Sequence, residues 1–272
     1  MKSFKEFLIN EEKSQATIEK YIRDVSVFQN WVSGNTIDKN RVLEYKEHLK
    51  EKYKTSSVNS MLSSINSFFD FVDWKDCKVK TIKIQKQLFY EEDRELSKCE
   101  YKRLLKCAAS KNKRRLFCIM QTLGATGIRI SELKYITVEA VMSGRVEVHS
   151  KGKYRTIMLP GNLCVILKKY IKTNGIKSGS VFVTKSGRPM DRSNIWNQMQ
   201  ELCDDAGVEK RKVFPHNFRH LFARTYYSLQ KDIVRLADIL GHTSVNTTRI
   251  YTIESGKIHR EQIQRLGLVL RI

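Results

Sequence analysis

Arg129, Lys151, His216, Arg219 and His242 each stand near a predicted helix or hairpin end in this 272-residue chain, and Tyr251 follows the last of them by nine residues. Planar guanidinium forks match the non-bridging oxygens of a phosphodiester, where negative charge rises as a nucleophile attacks in line. A tyrosine can be that nucleophile once an imidazole, or a water beside it, takes its proton. A free phenol is only about one part in a thousand ionised at pH 7, so crowding positive charge around it is expected to lower its pKa. Taken one at a time, each residue has a plainer reading: arginines form surface ion pairs and histidines are satisfied on helices.

Other routes to phosphate chemistry lack their residues. No Gly-x-x-x-x-Gly-Lys-Ser/Thr loop occurs, so a Walker-type phosphate cradle is excluded. His216 and His220 have the i, i+4 spacing of a zinc pair, but the glutamate of His-Glu-x-x-His is missing. The acidic pairs Glu91-Glu92 and Asp204-Asp205 fall in surface stretches, away from any two-metal arrangement. Neither metal nor cofactor is expected. The six cysteines lie far apart with no Cys-x-x-Cys pair, as in a reduced cytosolic protein without zinc knuckles.

Lys and Arg number 50 against 29 Asp and Glu, a formal charge of +21 that calls for a polyanionic partner. Residues 1–80 hold 14 basic and 12 acidic residues, so residues 81–272 carry nearly all of the excess. With 41% hydrophobic residues the chain can bury a sizeable core. The N-terminus interleaves apolar residues with charges, and no apolar run exceeds Leu116 to Met120, so neither signal peptide nor membrane span is expected and the protein is placed in the cytoplasm.

The elements that must position these groups are mostly helices. The first 75 residues read as four: a short one with a Ser3/Glu6 capping-box spacing, one carrying Ile18, Ile22, Val25, Phe28 and Val32 up to Gly34, a charged one over 40–53, and one striped by Val58, Leu62, Ile65 and Phe69. Periodicity lapses between Lys75 and Glu95, which predicts a linker over 81–95 between a bundle at 1–80 and a second domain at 96–272. Ser97 with Glu100 forms another capping box. The basic stretch KNKRR at 111–115 reads either as a solvated turn or as a contact to DNA backbone. Residues 145–160 alternate as a β-hairpin presenting Lys151, Lys153 and Arg155, and 180–190 reads as a third short strand. The remainder to Gly267 reads as helical, so the fold class is mainly α with a small β-sheet.

The words TGIRISEL (126–133), PHNFRHLFA (215–223) and LGHTSVNTTRIYT (240–252) resemble the three signature boxes of the tyrosine recombinases, the phage-integrase and Xer-like family. The resemblance implies an N-terminal SAM-like core-binding bundle followed by a mixed α+β catalytic domain. It assigns Arg129 to the first-box arginine, His216 and Arg219 to the His-x-x-Arg pair, His242 to the following His/Trp position and Tyr251 to the nucleophile. Glu132 matches a supporting acidic position, and His220, next to Arg219, is a supporting residue. The hairpin lysine falls on Lys151, with Lys153 as the alternative because the turn is one residue shorter. His242 is expected to donate to the phosphate and Lys151 to protonate the departing 5′-oxygen. Tyr226 and Tyr227 also lie near the His-x-x-Arg box, but on a helix with Leu221, Phe222 and Leu229, where packing is the expected role of at least one of them.

The family resemblance further implies a covalent 3′-phosphotyrosyl intermediate, duplex DNA bound by a dimer per site, a tetramer at synapsis, and exchange of the segment 257–272 between protomers. The apolar tail LVLRI either docks on its own domain or reaches a neighbour, and the second reading suits such an exchange. There is no room before the first helical domain for the arm-binding domain of lambda-type integrases, which points to a simple core-site recombinase of a small mobile element. Two other readings share the fold: a type IB topoisomerase-like relaxation enzyme, and a DNA-binding protein without turnover. Integration and chromosome-dimer resolution stay open alternatives.

Overall fold

The computed structural model describes residues 2–84, 94–150, 153–184, 186–252 and 264–266. The chain divides into two compact units, 1–87 and 88–272.

The first unit is a four-helix bundle: α1 (Lys2–Asn10), α2 (Gln15–Val32), α3 (Lys39–Lys52) and α4 (Thr55–Phe71). Ser14 caps α2 and Asp38 caps α3, each accepting a backbone N–H with its side-chain oxygen. Ser3 does not cap α1, because that helix already begins at Lys2 and Ser3 lies within its first turn. Phe28, Val42, Tyr45, Leu49, Leu62 and Phe69 fill the core. Two asparagines seven residues apart on α4 then hold the chain that follows it. Asn66 donates to the Val79 carbonyl and accepts from its N–H, and Asn59 does the same for Ile82. Val79 is buried and Ile82 packs on the core, so the first residues beyond 80 belong physically to the bundle.

The second unit opens with α5 (Lys98–Ser110), where the Ser97/Glu100 capping box forms in full. It is followed by α6 (Arg114–Thr126), a 3₁₀ segment over Ile130–Tyr135, and α7 (Val138–Ser143). In the KNKRR stretch Lys111 pairs with Asp205 and Lys113 with Glu201. β1 (Arg145–Ser150) and β2 (Lys153–Met158) form an antiparallel hairpin in which Val146 opposes Ile157 and Val148 opposes Arg155. The inward face of β2 therefore carries Arg155 and Ile157, and Thr156 and Met158 point out. This corrects the expectation that the hairpin presents Arg155 to solvent. The expected third strand is absent among the described residues: 180–190 makes only single bridges, Thr137 to Ser180 and Val183 to Pro189.

The remaining helices are α8 (Gly161–Thr173), α9 (Arg192–Gln200), α10 (Cys203–Ala206), α11 (Pro215–Gln230), α12 (Ile233–Leu240) and α13 (Val245–Thr248). A 3₁₀ turn over Arg249–Tyr251 ends this run. The core of the unit gathers Leu104, Ile119, Leu123, Ile128, Leu167 and Phe218. No described helix is long and apolar enough to cross a membrane. Of the proposed exchange segment 257–272, all but 264–266 lies outside the described residues.

Candidate active site

Three chain turns converge on one place in the second unit. α6 ends at Gly127 in the left-handed region, with φ +62°, and the chain turns so that Arg129 precedes the 3₁₀ segment. Glu132 reaches back across that turn, accepting the Arg129 backbone N–H at 2.9 Å and its Nη1 at 3.0 Å. Pro215, at the first position of α11, suits the helix start because its missing N–H would have had no partner there. His216, Arg219 and His220 follow at i, i+3 and i+4 on one face. α12 ends at Gly241, φ +64°, and the next residue is His242.

Arg219 is 1% exposed. Its Nη1 donates to the Gly127 carbonyl at 2.6 Å, and its Nη2 to the Leu240 carbonyl at 2.7 Å and to Nε2 of His242 at 2.9 Å. Its charge also acts on the phenol of Tyr251. The Tyr251 ring stacks on His242 with centroids 6.1 Å apart and meets the edge of His220 at 5.0 Å. His220 in turn contacts His216 at 4.6 Å and hydrogen-bonds Glu95 at 3.3 Å, and Arg224 joins the same carboxylate at 3.4 Å. Arg129, His216 and Arg219 line a cavity of about 590 Å³ together with Arg192 and Trp196. A neighbouring cavity of about 800 Å³ meets Arg129, Glu132, Arg155 and His242.

Arg129, Glu132, His216, Arg219, His220, His242 and Tyr251 are thus brought together from four separate segments. Lys151 lies outside the described residues, and of Lys153 only the backbone, paired with Ser150, is described. No three His, Cys, Asp or Glu side chains gather as a metal site among the described residues.

The electrostatics differ from expectation at Tyr251. Tyr251 is 3% exposed, and burial raises its pKa above the usual phenol value even though Arg219 and Arg129 pull it down. Burial is the larger effect, and the negative charge of Glu95 acts in the same direction. Desolvation, followed by the charge of Arg129, lowers Arg219 to about 10. His242 is pushed down to about 4, first by burial and then by Arg219, Arg129 and Arg155. His216 is also pushed down to about 4, by desolvation and then by His220 and the two arginines; one side of it remains open to water, which moderates that shift. Burial works to raise the Glu95 carboxyl, but the hydrogen bond from His220 and the nearby cations outweigh it and hold the group below its usual value.

Three participants escape a reading of the sequence. Glu95, placed at the end of a linker, is 125 positions from His220, and no local pattern joins them. Thr248 accepts from His242 Nδ1 at 2.8 Å. Arg155 carried a signal, since it shares strand parity with the buried Ile157 and Leu159.

The profile of the Phage integrase family matches residues 94–256, and that of the Phage integrase N-terminal SAM-like domain matches residues 1–76. The chain is 29% identical over 279 residues to tyrosine recombinase XerA of Pyrococcus furiosus, covering 99% of this chain and 94% of that protein. Its fold is similar to that of XerH site-specific recombinase bound to palindromic difH substrate in a post-cleavage complex, with TM-score 0.73, 19% identity and 93% and 79% of the two chains covered. It is also similar to a lambda integrase tetramer bound to a Holliday junction, with TM-score 0.72, 16% identity and coverage of 92% and 75%. The match runs through both units and spans the segments that carry the arginines and the tyrosine, and on that ground the chain belongs to the phage integrase family, among the tyrosine recombinases.

Proposed function

We propose that this protein is a site-specific recombinase that cleaves and rejoins duplex DNA through a 3′-phosphotyrosyl intermediate on Tyr251. The observation that carries this reading is the packing of one phenol against a buried guanidinium, Arg219, that shares a cavity wall with Arg129 and His216. Arg129 and Arg219 act as the clamp on the non-bridging oxygens, where charge builds in the transition state. His216, neutral at pH 7, accepts the phenol proton directly or through water. Lys151, which lies between β1 and β2 in the sequence, protonates the leaving 5′-oxygen, with Lys153 as its alternative. His242 positions Tyr251 and donates to the phosphate once Arg219 releases Nε2 and that nitrogen takes up a proton. The phosphotyrosyl bond keeps the energy of the phosphodiester, so rejoining needs no ATP.

Residues 1–80 with the anchored Ile82 serve as the core-binding domain and 96–272 with Glu95 as the catalytic domain, the residues between Ile82 and Glu95 linking them. The protein acts as a dimer on each site and as a tetramer at synapsis, a reading supported by the lambda integrase tetramer whose fold it shares. Its six free cysteines suit the reducing cytoplasm. The test is a duplex nicked beside the cleavage point, which traps the adduct. Wild-type protein forms a covalent complex and Tyr251→Phe forms none; an adduct that survives Tyr251→Phe rules out the assignment. A supercoiled plasmid with two sites should give resolved or inverted products, whereas relaxation alone points to topoisomerase-like action.

A further inference from the structure

At the C-terminal end of α12 three successive carbonyls accept from three different arginines. Arg155 Nη1 takes Ile239 at 2.8 Å, Arg219 Nη2 takes Leu240 at 2.7 Å, and Arg129 Nη2 takes Gly241 at 3.2 Å. The last carbonyls of a helix have no partner within it and carry partial negative charge, so guanidiniums can crowd there with less mutual repulsion than elsewhere. Arg129 and Arg219 are the proposed phosphate clamp. The third arginine has no part in that chemistry.

Arg155 is not placed as a phosphate ligand. Its side chain is 12% exposed, and its Nη2 donates to Oε2 of Glu132 at 2.5 Å. Glu132, 5% exposed, uses the same Oε2 for the Arg129 backbone N–H and its Oε1 for Arg129 Nη1. One buried carboxylate therefore sets two guanidiniums, and the plane that it offers to Arg129 is fixed from the other side by Arg155. A pair buried this far is not a rim ion pair: removing one member leaves a buried charge and a carbonyl unpaired. The stem of Arg155 also braces the turn before His242. A Cβ at Gly241 would lie 2.6 Å from its Cδ, so the guanidinium stem and the turn backbone pack in direct contact. Arg129 makes the longest of the three carbonyl bonds and is the member most dependent on its other anchor.

We infer that Arg155 is a positioning residue for the Arg129 guanidinium, acting through Glu132, and that it ties strand β2 to the turn leading to His242. This rests on the proposed cleavage reaction, and the test separates the two. Single-turnover cleavage of the nicked duplex is measured for wild type, Arg155→Met, Arg155→Lys, Arg129→Ala and the Arg129→Ala/Arg155→Met double variant. Arg155→Met should cleave about 10²-fold more slowly, with duplex affinity within about threefold of wild type, and Arg155→Lys should recover part of the loss by restoring charge without the fork. The double variant should be no slower than Arg129→Ala alone, because both changes remove the same stabilisation. A duplex with a methylphosphonate at the scissile position lacks one charged oxygen, and on it the Arg155→Met deficit should shrink. A deficit of the same size on both substrates means only a loosened fold and overturns the inference, as does multiplication of the two deficits or wild-type cleavage by Arg155→Met. Absence of any adduct with wild type overturns the recombinase reading instead.

Discussion

Nη2 of Arg219 lies 2.9 Å from Nε2 of His242, and this contact fixes the state of the imidazole. A guanidinium only donates, so Nε2 accepts and the ring proton resides on Nδ1, which donates to Thr248 Oγ1 at 2.8 Å. His242 is therefore neutral, in agreement with its lowered pKa of about 4. For His242 to donate to a phosphate, Arg219 must first release Nε2 and the proton must move there from Nδ1, giving up the bond to Thr248.

The same shift makes the catalytic unit acid-sensitive. An unfolded histidine titrates near 6.5, and His242 and His216 are pushed to about 4 in the fold. Between those values the unfolded chain binds more protons, so their contribution to stability is complete above about pH 6.5 and is lost as pH falls toward 4. His242 contributes the larger share, because His216 keeps an exposed side. The thermal midpoint should drop between about pH 7.5 and about pH 5, and His242→Asn should flatten that dependence. A pH-independent midpoint contradicts the assignment.

Arg219→Lys should be far from conservative. A lysine cannot serve the Gly127 and Leu240 carbonyls and His242 with one planar fork. Single-turnover cleavage should fall by about 10²-fold or more, with duplex affinity reduced much less. Equal losses in rate and affinity would mean that the arginine serves binding alone.

Gly127→Ala tests the turn that delivers Arg129. At φ +62° a Cβ would lie 2.5 Å from Cδ1 of Phe222 and 3.1 Å from Cδ2 of Leu240. Strain and clash together should destabilise the unit by about 2–3 kcal/mol. Gly144→Ala is the control: its φ is +73° but nothing lies within 4 Å, so about 1 kcal/mol is expected. Chemical denaturation of the two variants measures the difference.

The net charge of +21 predicts binding dominated by phosphate contacts. Fluorescence anisotropy on a duplex should show affinity falling by about 10³-fold or more between 50 and 200 mM salt. Tyr251→Phe should follow the same line, since the phenol is buried and takes no part in that attraction.

Helices were legible wherever one face had to be apolar. Ile18, Val25, Phe28 and Val32 mark the buried side of α2, and Ser97 with Glu100 caps α5 as their spacing requires. The site was legible through its short local words, because Arg129, Arg219 and His242 each sit within a few residues of the glycine or proline that shapes their turn. The third strand misled: Val181 and Phe182 are buried like strand residues, yet they belong to a segment that bridges only singly and ends in a proline with no donor. Arg155 misled because a run of cations masks strand parity. The pKa of Tyr251 was not legible at all, since counting nearby charges says nothing of how deeply the phenol is buried among them.

With Tyr251 as the proposed nucleophile, its covering divides cleavage into two events. A phosphodiester cannot reach a phenol that is 3% exposed until its ring contacts with His220 and His242 give way. An opening that costs about 2.7 kcal/mol slows cutting about 10²-fold. A duplex that leaves that equilibrium untouched is held by the same charges yet is cut at the slow rate. Choice of site then becomes a question of which sequence bends the balance toward opening, and a weakly bound duplex that does so outcompetes a tightly bound one that does not.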